Sequence, residues 1–239
     1  MVCLKPKFLA RFAVMFSFCC CIPIFYYFFP LTSEVSSSNL GTTTKTLILD
    51  AGHGGEDGGA VSSTGIPESQ INLSIVQNMD SILGFYGTVP ILLRNEDISL
   101  HDPESATLRE KKVSDLKNRV ARVEEVPHDA LISIHQNTYQ DNRYHGGQTF
   151  YAPTDGSQVL AQHIQTALKK TLQPDNNREC KPIPDTVYLM NHVSCPAVLV
   201  ECGFLTNKEE ELQLLNPSYQ RKLAIVLSAA WLTADQNKF

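Results

Sequence analysis

The stretch "TLILDAGHGGEDGGA" (residues 46–60) decides the fold. Its first six residues form an apolar run of the length of a buried strand. A polar loop follows, with Gly52, Gly54, Gly55, Gly58 and Gly59 around a single histidine, His53. A strand that runs into such a loop is where open α/β sheets gather ligands. Two phosphate-binding patterns fail here. A Walker loop needs G-x-x-x-x-G-K-[ST], and no lysine lies between Lys45 and Lys111. A dinucleotide fingerprint needs G-x-G-x-x-G, and Asp57 stands where the third glycine belongs. Glu56 and Asp57 would also repel a phosphate. What remains is a histidine presented on an open turn.

Downstream, apolar runs alternate with helical periods. Ile71, Ile75, Met79 and Ile82 repeat at helical spacing on a helix that opens near Pro67. Residues 88–94 read as a strand despite Pro90. Val113, Leu116, Val120 and Val123 predict one face of a helix ending before Pro127. Residues 130–135 and 147–152 read as strands, and Leu160, Ile164, Leu168 and Leu172 as a helix face stopped by Pro174. Residues 197–203 form another strand, and two helices, 208–215 and 219–233, close the chain. Strands alternating with helices predict an α/β fold, one domain over 46–239 with a twisted, mostly parallel sheet flanked by helices.

In a parallel sheet the strand ends share one edge. "LISIHQN" puts His135 at such an end, "VLVECG" puts Glu201 at another, and Glu68 opens the helix after the first strand. Two histidines and one carboxylate make the ligand set of a catalytic zinc, with the fourth position left to water. A further carboxylate there would serve as general base. Each residue also has a plainer role. A lone strand-end histidine is usually a hydrogen-bonded surface group, Glu68 alone would suit a helix N-terminus, and Glu201 would pair with a cation. Their convergence is what points to chemistry. His101, His128, His145 and His163 read as solvated, with His192 the one left open.

The 239 residues suffice for one well-packed domain. A net charge of −5 gives no footprint for nucleic acid. Cys180, Cys195 and Cys202 in the body cannot pair off completely, so no disulfide framework is expected. The N-terminus carries Lys5, Lys7 and Arg11 and then no charge from Phe12 to Ser33. That run has about the 20 residues a membrane-spanning helix needs. Its flanking cations predict a cytoplasmic start and an exported body. Residues 1–33 therefore read as a signal anchor or a cleaved signal peptide, and 34–45 as a polar linker. Lipid modification of Cys19 is a weaker alternative.

"LDAGHGG", Glu68 at a helix start, "SIHQN" and "VECGFLTN" occur in the order of the motifs of the zinc-dependent N-acetylmuramoyl-L-alanine amidases of the amidase_3 type, which the chain resembles from about Lys45 to Thr233. The resemblance implies that His53, Glu68 and His135 hold Zn2+ and that Glu201 is the catalytic acid/base. It implies hydrolysis of the amide between N-acetylmuramic acid and L-alanine, with a peptidoglycan glycopeptide as substrate. Gln136, where many members have alanine, and Cys202 beside Glu201 depart from the pattern without touching its chemistry. "LREKKVSDLKNRV" and "YLMNHVSCPAVLVECGFLTN" are similar to the germination-type amidases that act on spore cortex. An ordinary wall-remodelling or division role stands beside that one. The glycines around His53 are read as leaving space for a bulky substrate, and Asn137 as a substrate-orienting group. The short connection between the helix over 157–171 and Val187 leaves no room for a covering helix, so an open site is expected, controlled from outside by a regulator the sequence does not name. A zinc peptidase acting on the stem peptide, a non-catalytic wall-binding module and a structural anchor are the competing readings.

Overall fold

The computed structural model describes residues 45–127 and 129–239, so residues 1–33, expected to be a signal anchor or signal peptide, and most of the expected linker over 34–45 lie outside the described residues. Among the described residues no helix is long and apolar enough to cross a membrane. The elements run β1 (Thr46–Ala51), α1 (Glu68–Phe85), β2 (Ile91–Leu92), α2 (Leu108–Glu124), β3 (Asp129–Asn137), β4 (Gln148–Tyr151), α3 (Ser157–Thr171), β5 (Lys181–Pro182), α4 (Tyr188–His192), β6 (Ala197–Phe204), α5 (Lys208–Leu214) and α6 (Pro217–Thr233). Six strands form one sheet in the order β2-β1-β3-β6-β4-β5. β2, β1, β3 and β6 are parallel, and β4 runs antiparallel to β6. The expected mostly parallel α/β sheet is what the chain forms.

Strand alternation splits the central strands into two unlike faces. Leu47, Leu49 and Ala51 of β1, Ala130, Ile132 and Ile134 of β3, and Val198, Val200 and Cys202 of β6 point to one face. There they pack on Ile71, Ile75, Met79 and Leu83 of α1, on Leu160, Ile164 and Leu168 of α3, and on Leu223, Leu227 and Trp231 of α6. Each such side chain contributes about 1.5–3 kcal/mol of burial. The other face starts apolar with Ile48, Leu131 and Ala197, packed against Val123 of α2 and Leu189 and Met190 of α4. Toward the carboxyl ends it turns polar, through Asp50, Ser133, His135 and Glu201, which border one cavity. In register, His135 lies opposite Glu201.

Some local expectations change. The strand over 88–94 shrinks to Ile91–Leu92, since Pro90 has no N–H to donate to a ladder. On α1, Leu83 is buried where Ile82 had been expected. On α2 the buried face carries Ser114, Asp115, Arg119 and Val123, while Val113 is exposed. That helix is started by a capping box. Thr107 accepts the Glu110 N–H at 3.2 Å, and Glu110 accepts the Thr107 N–H at 2.9 Å. Cys180, Cys195 and Cys202 are all free thiols.

Candidate metal centre

Three of the four anticipated residues meet at the carboxyl edge of β1 and β3. One donor atom from each of His53, Glu68 and His135 lies within 4.8 Å of the others. Glu68 reaches the edge because α1 begins there. Its backbone N–H donates to the Ala60 carbonyl at 2.7 Å, which fixes the helix start beside the loop. Its carboxylate is then oriented by backbone donors, the Ala60 N–H to Oε2 at 2.9 Å and the Gln136 N–H to Oε1 at 3.1 Å. Asn72, one turn on, adds a donor to Oε1 at 3.3 Å and is itself held by Gln136. His135 Nδ1 stands 3.0 Å from Oε1, and His53 Nε2 stands 3.4 Å from the same oxygen.

Two glycines make this convergence possible. A Cβ on Gly52 would collide with the His135 ring. Gly59 has φ 69°, and a Cβ there would fall 2.6 Å from His53 and 2.7 Å from Glu68. The room at these two positions is filled by the side chains of His53, Glu68 and His135, and the positive φ of Gly54, Gly55 and Gly59 gives the sharp turn expected of the loop.

His53 itself adopts φ 61°, a left-handed conformation that costs a residue with a Cβ about 1–3 kcal/mol. Two buried arginines hold the loop in that shape. Arg119 Nη2 donates to the His53 carbonyl at 2.7 Å and Nη1 to the Ala51 carbonyl at 3.1 Å. Arg94 donates to the carbonyls of Ala51 at 2.8 Å, Gly52 at 3.1 Å and Ser69 at 2.9 Å. Arg119 also pairs with Asp50 and with Asp115, the latter at 2.7 Å. Burial works to raise the Asp50 carboxyl, but the Arg119 charge and the Ser133 hydroxyl, 2.6 Å away, hold it below the usual carboxylate range.

The electrostatics of the donor set fit a divalent cation. Burial works to raise the Glu68 carboxyl, yet the hydrogen bonds and charges of the two imidazoles keep it well below its ordinary value. Burial likewise works to lower His53, but Asp57 and Glu68 raise it to about 9. Asp57 and Glu68 draw a proton onto His53, and a cation beside Glu68 would take the place of the one facing that carboxylate.

Glu201 borders the same cavity, of about 200 Å³, with His53 and His135. Burial raises its carboxyl to about 7, against the lowering effect of His135. Its Oε2 is buried without a hydrogen-bond partner. Val187, Leu189 and Met190 form part of the cavity wall, so the connection after α3 builds a side of the site. Asn137 ends β3, and its carbonyl accepts the Leu205 N–H at 2.8 Å. It is not among the residues lining the cavity.

The remaining histidines stay apart. His101 bonds Ser99, His163 bonds Thr233, and the exposed His192 donates to its own helix at Tyr188. His145 is exposed, and His128 lies outside the described residues.

This fold, with a His-Glu-His cluster at the strand ends, matches one family model over residues 47–230, that of N-acetylmuramoyl-L-alanine amidases (Amidase_3). The chain belongs to the Amidase_3 family. It is 32% identical, over 84% of its own length and 84% of the relative's, to the germination-specific N-acetylmuramoyl-L-alanine amidase of Bacillus subtilis. Among solved structures it resembles the CwlD amidase of Clostridioides difficile, solved with the GerS lipoprotein. That likeness has a TM-score of 0.75 at 38% identity and covers 80% of this chain and all of that one. An N-acetylmuramoyl-L-alanine amidase from Clostridium difficile 630 follows at TM-score 0.69 and 28% identity, covering 80% and 97%. This Amidase_3 chain is an enzyme of the N-acetylmuramoyl-L-alanine amidase class, acting on peptidoglycan.

Sequence reasoning found the cluster and missed its frame of Asp50, Arg94, Asp115 and Arg119. One signal was available. Asp50 closes an apolar strand just as Glu201 does, and that pattern had already been read as functional in Glu201.

Proposed function

We propose that this amidase is zinc-dependent, with His53, Glu68 and His135 as ligands and Glu201 as acid/base, and that it cleaves the amide between the lactyl group of N-acetylmuramic acid and L-alanine. The observation that carries the reading is the approach of His53, Glu68 and His135 donor atoms to within 4.8 Å of one another. Zinc, when bound, polarises the scissile carbonyl and lowers the pKa of water toward 7. Glu201 takes a proton from the attacking water and hands it to the departing alanine amine. Its unpartnered Oε2 is the atom free to do so. Arg119 and Arg94 keep the His53 loop in place through the reaction.

The body acts outside the cytoplasm, carried there by residues 1–33 as anchor or signal, and the role is cortex modification during spore germination. The support is the uncharged run from Phe12 to Ser33 and the likeness to the germination-specific enzyme. The lipoprotein bound to the C. difficile relative makes a protein partner part of this reading.

Mass spectrometry of digested peptidoglycan tests the bond. The expected products are a stem peptide with a free L-alanine amine and a glycan with free lactyl carboxylates. Cleavage within the stem peptide would overturn the assignment. Elemental analysis should find one zinc per chain, lost in His135→Ala, and a metal-free, fully active preparation would remove zinc from the mechanism.

A further inference from the structure

His53 and His135 face the same oxygen, Glu68 Oε1, through different ring nitrogens. His135 presents Nδ1, and the far side of its ring lies against Gly52. His53 presents Nε2, and its Nδ1 lies 3.0 Å from Asp57 Oδ2. An ionised carboxylate only accepts hydrogen bonds, so this contact requires a proton on His53 Nδ1. Nε2 faces Glu68 Oε1 at 3.4 Å, so it is the nitrogen whose proton a cation would replace, while Nδ1 keeps its own proton toward Asp57.

Asp57 is itself fixed from three sides. Its Oδ1 accepts the Gly59 N–H at 3.3 Å, and Lys112 Nζ stands 3.3 Å from Oδ2. Its backbone carbonyl accepts the Gly54 N–H at 2.8 Å, closing the loop around His53. Among the described residues, His135 pairs with no acid besides Glu68, so the two histidines are supported unequally.

We propose that Asp57 is the positioning residue of the metal centre, setting the tautomer and ring orientation of His53 so that Nε2 faces the metal, with Lys112 steadying the carboxylate. This rests on the zinc reading of His53, Glu68 and His135. Carboxylates behind histidine ligands fix the ring and raise its basicity, and losing one weakens metal binding by about 10–100-fold.

The test measures the zinc dissociation constant of the full chain by competition with a chromogenic chelator, beside metal-free melting temperature. Asp57→Ala should bind zinc about 10–100-fold more weakly. Asp57→Asn keeps an acceptor but loses the charge, and should fall between Asp57→Ala and wild type. Lys112→Met should weaken binding less than either. In the metal-free protein at high pH, nitrogen-15 histidine spectra should place the His53 proton on Nδ1 in wild type and move it to Nε2 in Asp57→Ala. Where Asp57→Ala fails to fold, wild-type affinity in an Asp57→Asn protein whose His53 proton has moved to Nε2 would overturn the proposal. Wild-type affinity in a folded Asp57→Ala would overturn it directly. A wild-type chain that binds no zinc would sink the metal reading instead, and the tautomer measurement would still decide whether Asp57 sets the His53 ring.

Discussion

The two faces of the sheet are built from the same strands and do different work. On one, Ile132 and Val200 sit fully buried among α1, α3 and α6. On the other, their neighbours Ser133 and Glu201 border a cavity. One residue of register therefore separates packing from chemistry. The apolar face supplies burial, and the polar face carries Asp50, Asp115 and Arg119, buried charges that are tolerated because they pair with one another.

Substitutions on the polar face should separate activity from folding most sharply. Glu201→Gln preserves volume but cannot take a proton near neutral pH. Turnover on muramoyl-peptide should fall by about 10² or more while zinc content holds. Loss of zinc together with activity would place Glu201 among the ligands and return Glu68 to a helix-start role.

Arg119→Met tests whether this face is stable only as a network. It leaves Asp50 buried without its cation, and breaking a buried pair costs about 3–5 kcal/mol. Denaturant unfolding checks this. A loss below about 1 kcal/mol, the scale of an exposed pair, would show that Ser133 alone satisfies Asp50.

A matched pair then compares the faces directly. Ile132→Ala should cost about 2–5 kcal/mol, with kcat little changed. Leu199→Ala, at the cavity wall, should fall at the low end of that range and disturb KM more than stability. Equal stability losses would erase the distinction.

The smallest effect is one of pH. Burial lifts Glu201 from 4.5 to about 7 in the metal-free protein. The stability linked to its protonated form is fully present below about pH 4.5 and is lost as pH rises through about 7. Metal-free Glu201→Gln should therefore melt above wild type at pH 8, and the gap should close toward pH 4. Parallel curves would mean that the carboxyl is not desolvated.

The apolar face was legible in the sequence because its strands are nearly continuous apolar runs and α1 and α3 repeat at helical spacing. His53, Glu68, His135 and Glu201 were legible because each ends a strand or starts a helix at one edge. α2 was misread in its facing. Periodicity assigns apolar residues to the core, but here Asp115 and Arg119 are buried by pairing with each other and with groups of β1. Such a face looks like a solvated one until its partners, far off in sequence, are placed. β2 was overextended for a simpler reason: the apolar run was given more weight than Pro90, whose missing N–H is legible in the sequence.

The two borders of the sheet have a consequence for how this enzyme meets other proteins. β2 is two residues long and follows Pro90, while β5 is two residues long and contains Pro182. Among the described residues, neither border offers a long run of free N–H and C=O groups on which another chain could add a strand. Fibre-like stacking and strand-exchange pairing find little to build on at these borders. A protein docking on the described residues would therefore meet helices and loops, read by side-chain shape and charge.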